Sequence, residues 1–270
     1  MPLPCAVASC GRRAFTLIEL LVVISIIALL IGILLPTLGQ ARFRALVLQD
    51  LSNMRQLQLA HYAYVTDNGG FMINAGLPHG FAPANGQIAW VNTLKRYYND
   101  DLALRSPIDD SPHWEDGGGV PVPLVSPVSY RLTSYGINAH LCDVDENGSN
   151  PWGPKPPAGI LGDPRAGPAY TRIDMVDQPS DMVHFVIMAF EGEFAGADHG
   201  HPEAWGNNPM GIGKAPEQIE INAVAGPERS FEAKSNYAFL DGSAKTAEFG
   251  DVYVNGLNNR FDPHPIVARP

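Results

Sequence analysis

From Leu20 to Leu35 sixteen consecutive residues carry no charge, and Ser25 is the only polar residue among them. No other stretch of the chain comes close. With Phe15 to Glu19 added the segment has 21 residues, which at ~1.5 Å rise per residue spans about the ~30 Å hydrocarbon core of a bilayer. Arg12 and Arg13 precede it, no acidic residue accompanies them, and a large polar region follows. The positive-inside bias then places the N-terminus in the cytoplasm and the bulk of the chain outside.

Apolar residues continue at helical spacing beyond Pro36: Phe43, Leu46, Val47, Leu51, Met54, Leu57, Leu59, Tyr62 and Val65, before Asp67-Asn68-Gly69-Gly70 supplies a C-terminal stop. The pattern predicts one helix of about 50 residues, near ~75 Å long. Residues 15–36 would lie in lipid and residues 37–66 would pack on a head formed by residues 67–270. A coiled-coil stalk is the other reading of the second half, against which the apolar positions hold no strict heptad. After Gly70 the chain breaks into short pieces between Gly, Pro, Asn and Asp. Leu94 to Leu104 reads as a short helix. Ser134–Asn138, Met182–Met188, Tyr237–Leu240 and Ala244–Phe249 read as strands. Asp241-Gly242 separates the last two as a hairpin turn whose central residues both tolerate positive φ. Gly117–Pro127 and Asn147–Pro168 read as exposed loops. The expected class is α+β: a long N-terminal helix packed on an antiparallel sheet with long loops.

Three readings of the apolar segment compete: a secretory signal peptide, a simple anchor and a processed membrane subunit. The run is longer than the about 7–15 apolar residues of a signal peptide and ends in Leu34-Leu35-Pro36 rather than at a small-residue cleavage site. Val7-Ala8-Ser9-Cys10 has neither a basic region nor an apolar core before it, which argues against a lipoprotein. A simple anchor leaves Glu19 unexplained, since a carboxylate within a membrane segment costs roughly 2.5–3.5 kcal/mol and usually has a partner. Something positive should meet it.

Arg12-Arg13-Ala14-Phe15-Thr16-Leu17-Ile18-Glu19-Leu20 resembles the processing site of type IV prepilins and type II secretion pseudopilins. The resemblance implies residues 1–14 as a leader whose charge is Arg12 and Arg13. It implies cleavage between Ala14 and Phe15 by prepilin peptidase and N-methylation of Phe15. It makes Glu19 the acid that pairs with the N-terminal amine of a neighbouring subunit, and Pro36 the helix-kinking proline. Ala14 stands where the family usually has Gly. The implied partners are prepilin peptidase, other pilin or pseudopilin subunits and the inner membrane. The tail also resembles a domain common in prepilin-like proteins of planctomycete-type bacteria, marked by a histidine, nine residues and Asp-Gly. Asp241-Gly242 is present, and Phe231 occupies the histidine position.

Eighteen Lys and Arg against 28 Asp and Glu give a net charge of −10, which repels phosphate backbones, so nucleic acid is not an expected partner. Three cysteines, Cys5, Cys10 and Cys142, are too few for a disulfide framework. Asp143, Asp145 and Asn147, with Gly148 at the bend, follow the first half of a calcium loop, but Pro154 stands where a bidentate Glu is needed. No cofactor is expected, with Ca2+ at these three residues as the exception the sequence raises and zinc at His184, His199 or His201 as the weakest reading. Asp198-His199-Gly200-His201, with Glu191, Glu193 and His184 nearby, has metal-binding residue types at spacings that fit no zinc signature and reads as a polar loop. Trp90, Trp114, Trp152 and Trp205 read as pins between loops and core. No nucleophile elbow, phosphate-binding loop or zincin motif occurs, so an enzyme is not expected. The reading is a pilin-like structural subunit of a type II secretion pseudopilus or type IV pilus-like filament. Its alternative is a membrane-anchored module outside the cytoplasm that binds glycan or calcium and never polymerises.

Overall fold

The computed structural model describes residues 16–77, 89–98, 104–116, 118–123, 129–141, 172–206, 210–256 and 258–262. Helix α1 (Leu17–Asp67) runs without interruption through Pro36. The chain divides into two units, one ending at Ala45 and one beginning at Leu46.

In the first unit every described side chain from Thr16 to Ala45 is exposed, the leucines, isoleucines and valines of the apolar run included. A helix apolar on all sides has the composition of a membrane span. This one is long and apolar enough to cross a membrane once.

The second unit contains a mixed five-stranded sheet, β1 (Tyr135–Asn138), β2 (Val183–Ile187), β3 (His199–Gly200), β4 (Lys234–Phe239) and β5 (Ala244–Glu248), in the order β3-β1-β2-β4-β5. All pairings are antiparallel except β1 with β3, which is parallel and puts Ile137 beside His199. The α+β class therefore stands, while the expected purely antiparallel sheet gains a parallel two-residue edge. A strand so short carries no alternation for the sequence to display.

Residues 46–67 of α1 cover one face of the sheet. Leu51, Met54 and Leu57 join Tyr135, Ile137, Phe185, Ile187, Ala238 and Trp90 in one cluster. Full burial of each Leu or Met side chain contributes about 1.5–3 kcal/mol. Leu48 and Leu59 lie on the opposite, exposed side of the helix. The other face of the sheet is covered by α3 (Met210–Gln218), α4 (Phe249–Val252) and the hairpin of β6 (Tyr253–Asn255) and β7 (Asn258–Asn259). Trp205, Ile219, Phe249, Tyr253 and Phe261 pack there against Val183, Val186, Tyr237 and Phe239. A sheet buried on both faces needs apolar residues at successive positions, and all five residues of β2 are indeed buried. A register shift between Val183 and Phe185 interrupts the alternation. It turns His184 and Phe185 both toward α1, where His184 bonds Gln58 and Phe185 packs on Trp90.

The helix expected over Leu94–Leu104 begins earlier, as α2 (Trp90–Thr93) followed by a tight turn at Leu94–Arg96. Trp90 fixes that start, being fully buried and donating its indole N–H to the Asp198 carbonyl at 3.0 Å. Trp205 is likewise buried, with its N–H on Gln218. Trp152 and the Asn147–Pro168 segment lie outside the described residues.

Asp241-Gly242 does join β4 to β5, with one correction: only Gly242 takes a positive φ, of 94°. The Gly242 N–H donates to the Phe239 carbonyl, and the Phe239 N–H to the Ser243 carbonyl. This is a longer loop with glycine in the left-handed position rather than a two-residue turn. The Asp241 carboxylate accepts the Ser243 N–H at 2.9 Å, which closes the loop locally.

Gly226 also has positive φ, and a Cβ added to it would lie 2.7 Å from the Glu232 carbonyl; one added to Gly242 would meet only the Tyr62 ring edge, at 3.7 Å. Gly242→Ala should therefore lower stability by about 1 kcal/mol through the backbone alone, and Gly226→Ala by distinctly more. Urea unfolding of both variants checks this ranking, and equal losses would contradict it.

Candidate functional site

Two regions of α1 carry polar chemistry that its apolar pattern does not explain. The first is its opening turn. The Glu19 carboxylate accepts both the backbone N–H and the hydroxyl of Thr16 at 2.8 Å, while the Glu19 N–H donates back to the Thr16 hydroxyl at 3.2 Å. This reciprocal capping box satisfies orphan helix donors and places a negative charge at the positive end of the helix dipole. Further along, the hydroxyls of Ser25 and Thr37 donate to the carbonyls of Leu21 and Leu34, at 2.8 and 2.9 Å. Polar groups in an apolar span need such internal partners. Pro36 lacks the N–H that would reach the Gly32 carbonyl, and Thr37 also lies 3.4 Å from the Ile33 carbonyl beside that gap. Arg12, Arg13, Ala14 and Phe15 lie outside the described residues.

The second region lies within the head, where residues 46–67 meet the sheet. Asp50 is completely buried. Its carboxylate accepts the Ser106 hydroxyl, the Tyr135 hydroxyl at 2.7 Å and the Asn236 amide at 2.7 Å. Burial pushes the Asp50 carboxyl up from its ordinary value, and these hydrogen bonds pull it back. The donors come from a loop, β1 and β4, so one side chain of α1 ties three separate segments. One turn later Arg55 donates to the Ala244 carbonyl at 2.9 Å. Gln58 and Tyr62 both donate to the Leu240 carbonyl. The β4–β5 hairpin is thereby held to α1 through its backbone. The sequence does carry a signal for Asp50: Val47, Asp50, Met54 and Leu57 fall on one helical stripe, and a lone carboxylate there requires donors.

The residues of metal-binding type do not converge. The Asp198 carboxylate accepts the N–H groups of Gly76 and Leu77 at 3.0 and 3.1 Å and pairs with His199 Nδ1 at 2.9 Å. Burial pushes its carboxyl up to about 7, against the pull of those backbone bonds. His184 faces Gln58 instead, and Glu191 and Glu193 are exposed. Among the described residues no group of three or more His, Cys, Asp or Glu is placed to hold a metal ion. Asp143, Asp145 and Asn147, the candidate Ca2+ ligands, lie outside the described residues, as does Cys142.

Residues 10–35 match the family model of the prokaryotic N-terminal methylation motif. No curated protein and no solved structure matches the chain. The chain thus carries a prepilin-type N-terminal methylation motif that runs into a long apolar helix, and in this respect its N-terminus is pilin- or pseudopilin-like. The match does not extend to Asp241-Gly242, and Phe231 there stacks on Phe249.

Asp50→Ala leaves three buried donors without an acceptor, so it should cost roughly 3 kcal/mol or more. Combined with Tyr135→Phe it should cost clearly less than the sum of the single losses, because both changes break one shared bond. A double-mutant cycle by urea unfolding in detergent measures this. A loss below about 1 kcal/mol for Asp50→Ala, or strict additivity, would remove Asp50 as the tie.

Proposed function

We propose that this chain is a structural subunit of a type II secretion pseudopilus or type IV pilus-like filament. Prepilin peptidase cuts it between Ala14 and Phe15 and methylates the new amino group. It then stands in the cytoplasmic membrane as a single-pass protein with its head outside the cytoplasm. The observation that carries this reading is the methylation-motif match over residues 10–35, continuous with a helix apolar on all sides.

The physical logic rests on Glu19. Among the described residues its carboxylate bonds Thr16 and no positive group, and a carboxylate at that depth in lipid is costly without a positive partner. The N-terminal amine of a neighbouring Phe15 supplies a positive partner only when two helices lie side by side. Their attraction is strong where water is excluded, so subunit association and charge neutralisation become one event. The apolar faces of residues 17–38 then exchange lipid for each other.

Sheared-filament yield in a host with its own prepilin peptidase and assembly machinery tests this. Glu19→Ala should be inserted and cleaved normally yet fall at least about tenfold in the filament fraction, while Glu19→Asp should retain part of the yield. Glu19→Ala at wild-type yield, or a wild-type protein that never leaves the membrane fraction, would favour the non-polymerising anchored module.

A further inference from the structure

We propose that His61 of α1 and His184 of β2 form a proton-sensitive joint between residues 46–67 of α1 and the sheet, which holds at neutral pH and is destabilised in acid. Both side chains are completely buried. Their ring centroids lie 4.3 Å apart at an angle of 48°. Gln58, one turn before His61, bridges them. Its oxygen lies 2.8 Å from His184 Nδ1, and its nitrogen lies 3.2 Å from His61 Nδ1 and 3.4 Å from the Leu240 carbonyl.

This pattern fixes where the protons sit, by the donor and acceptor roles of the amide. His184 donates from Nδ1 and keeps a lone pair on Nε2. His61 accepts at Nδ1 and carries its proton on Nε2. Among the described residues neither Nε2 has a hydrogen-bond partner. Protonating His61 would set a new N–H against the donating amide of Gln58. Protonating His184 would add an N–H that meets no acceptor.

Among the described residues, the groups facing the pair give no compensating charge. They are Gln58 and Tyr62 on α1, Phe185 on β2 and the Leu240 carbonyl at the end of β4. Asp241, next on the hairpin, acts on the Tyr62 phenol rather than on either imidazole. Burial alone pulls His61 down to about 3, and burial together with His61 pulls His184 well down.

An imidazole in the unfolded or opened chain titrates near 6.5. Between that value and the lower one of the closed joint, the opened form binds more protons, so the closed form loses ground as pH falls below about 6.5. Each pH unit shifts the balance by up to about tenfold per imidazole. Asp50, Asp198 and Glu220 are pushed up by burial and give a slope of the opposite sign. The contrast between wild type and histidine variants therefore isolates the pair.

The test is urea unfolding of the full chain in detergent, from pH 7.5 to 4.5, for wild type, His61→Leu and the double variant His61→Leu/His184→Met. Relative to the double variant, wild type should lose at least about tenfold in its folding equilibrium between pH 6.5 and 4.5, with the single variant between. Parallel pH profiles would overturn the proposal. A second measurement needs no variant: in ring-labelled protein two histidine signals should stay neutral in the folded state below pH 5. Titration of either His61 or His184 near 6.5 in the folded chain would overturn it.

Discussion

The Asp50 carboxylate sits on the face of α1 that meets the sheet, is sealed from water, and accepts from Ser106, Tyr135 and Asn236. Apolar packing alone lets a helix slide or rotate on a sheet at modest cost, because it has no direction. A buried carboxylate has direction: any shift of α1 by a residue removes it from its three donors at once. The same helix surface then holds the β4–β5 hairpin through Arg55, Gln58 and Tyr62. Register along α1 is thus set by polar groups, while burial of Leu51, Met54 and Leu57 supplies apolar stabilisation from the helix side.

A comparable device organises the loops before β1. Arg131 and Asp109 pair at 2.9 Å with both side chains fully buried, and the guanidinium also donates to the carbonyls of Met188 and Ala189. Burial lowers the Arg131 guanidinium from its ordinary value, and Asp109 opposes that shift. Such a pair is costly to bury and costlier to break, so it adds specificity to a region whose backbone has little regular structure. Directed polar ties beside the apolar core let short strands and loops hold one arrangement.

Long-range pattern was legible in the sequence, and short-range geometry was not. Helix α1 could be read because its apolar run and its spaced continuation exceed any competing signal, and because Gly69 and Gly70 mark its end. Strands β1, β2 and β4 could be read from their β-branched and aromatic residues, and β5 from its place after the Asp241-Gly242 turn. By contrast α3 contains Gly211, Gly213 and Pro216, all poor helix formers, and owes its form to burial of Ala215 and Ile219 beside Trp205. Strands β3 and β7 are two residues each and exist through their neighbours. At the candidate site, Glu19 announced itself as a charge in an apolar run. Asp50 and His61 carried the same kind of signal on a weaker stripe, but their partners Ser106, Tyr135, Asn236 and His184 come from distant parts of the chain that only the fold brings together.

The two halves of α1 meet opposite demands. Residues 17–38 expose apolar side chains on every side, whereas residues 46–67 place one face on a head held by polar ties. The proposed role as a processed subunit uses both, one part to exchange lipid for neighbouring helices and one part to carry a folded head. Everything in that account begins with the cut before Phe15. Its most direct test is the intact mass and N-terminal sequence of the protein extracted from membranes of a host that supplies prepilin peptidase. The account predicts a chain that begins at N-methylated Phe15. A chain that still begins at Met1 would contradict it.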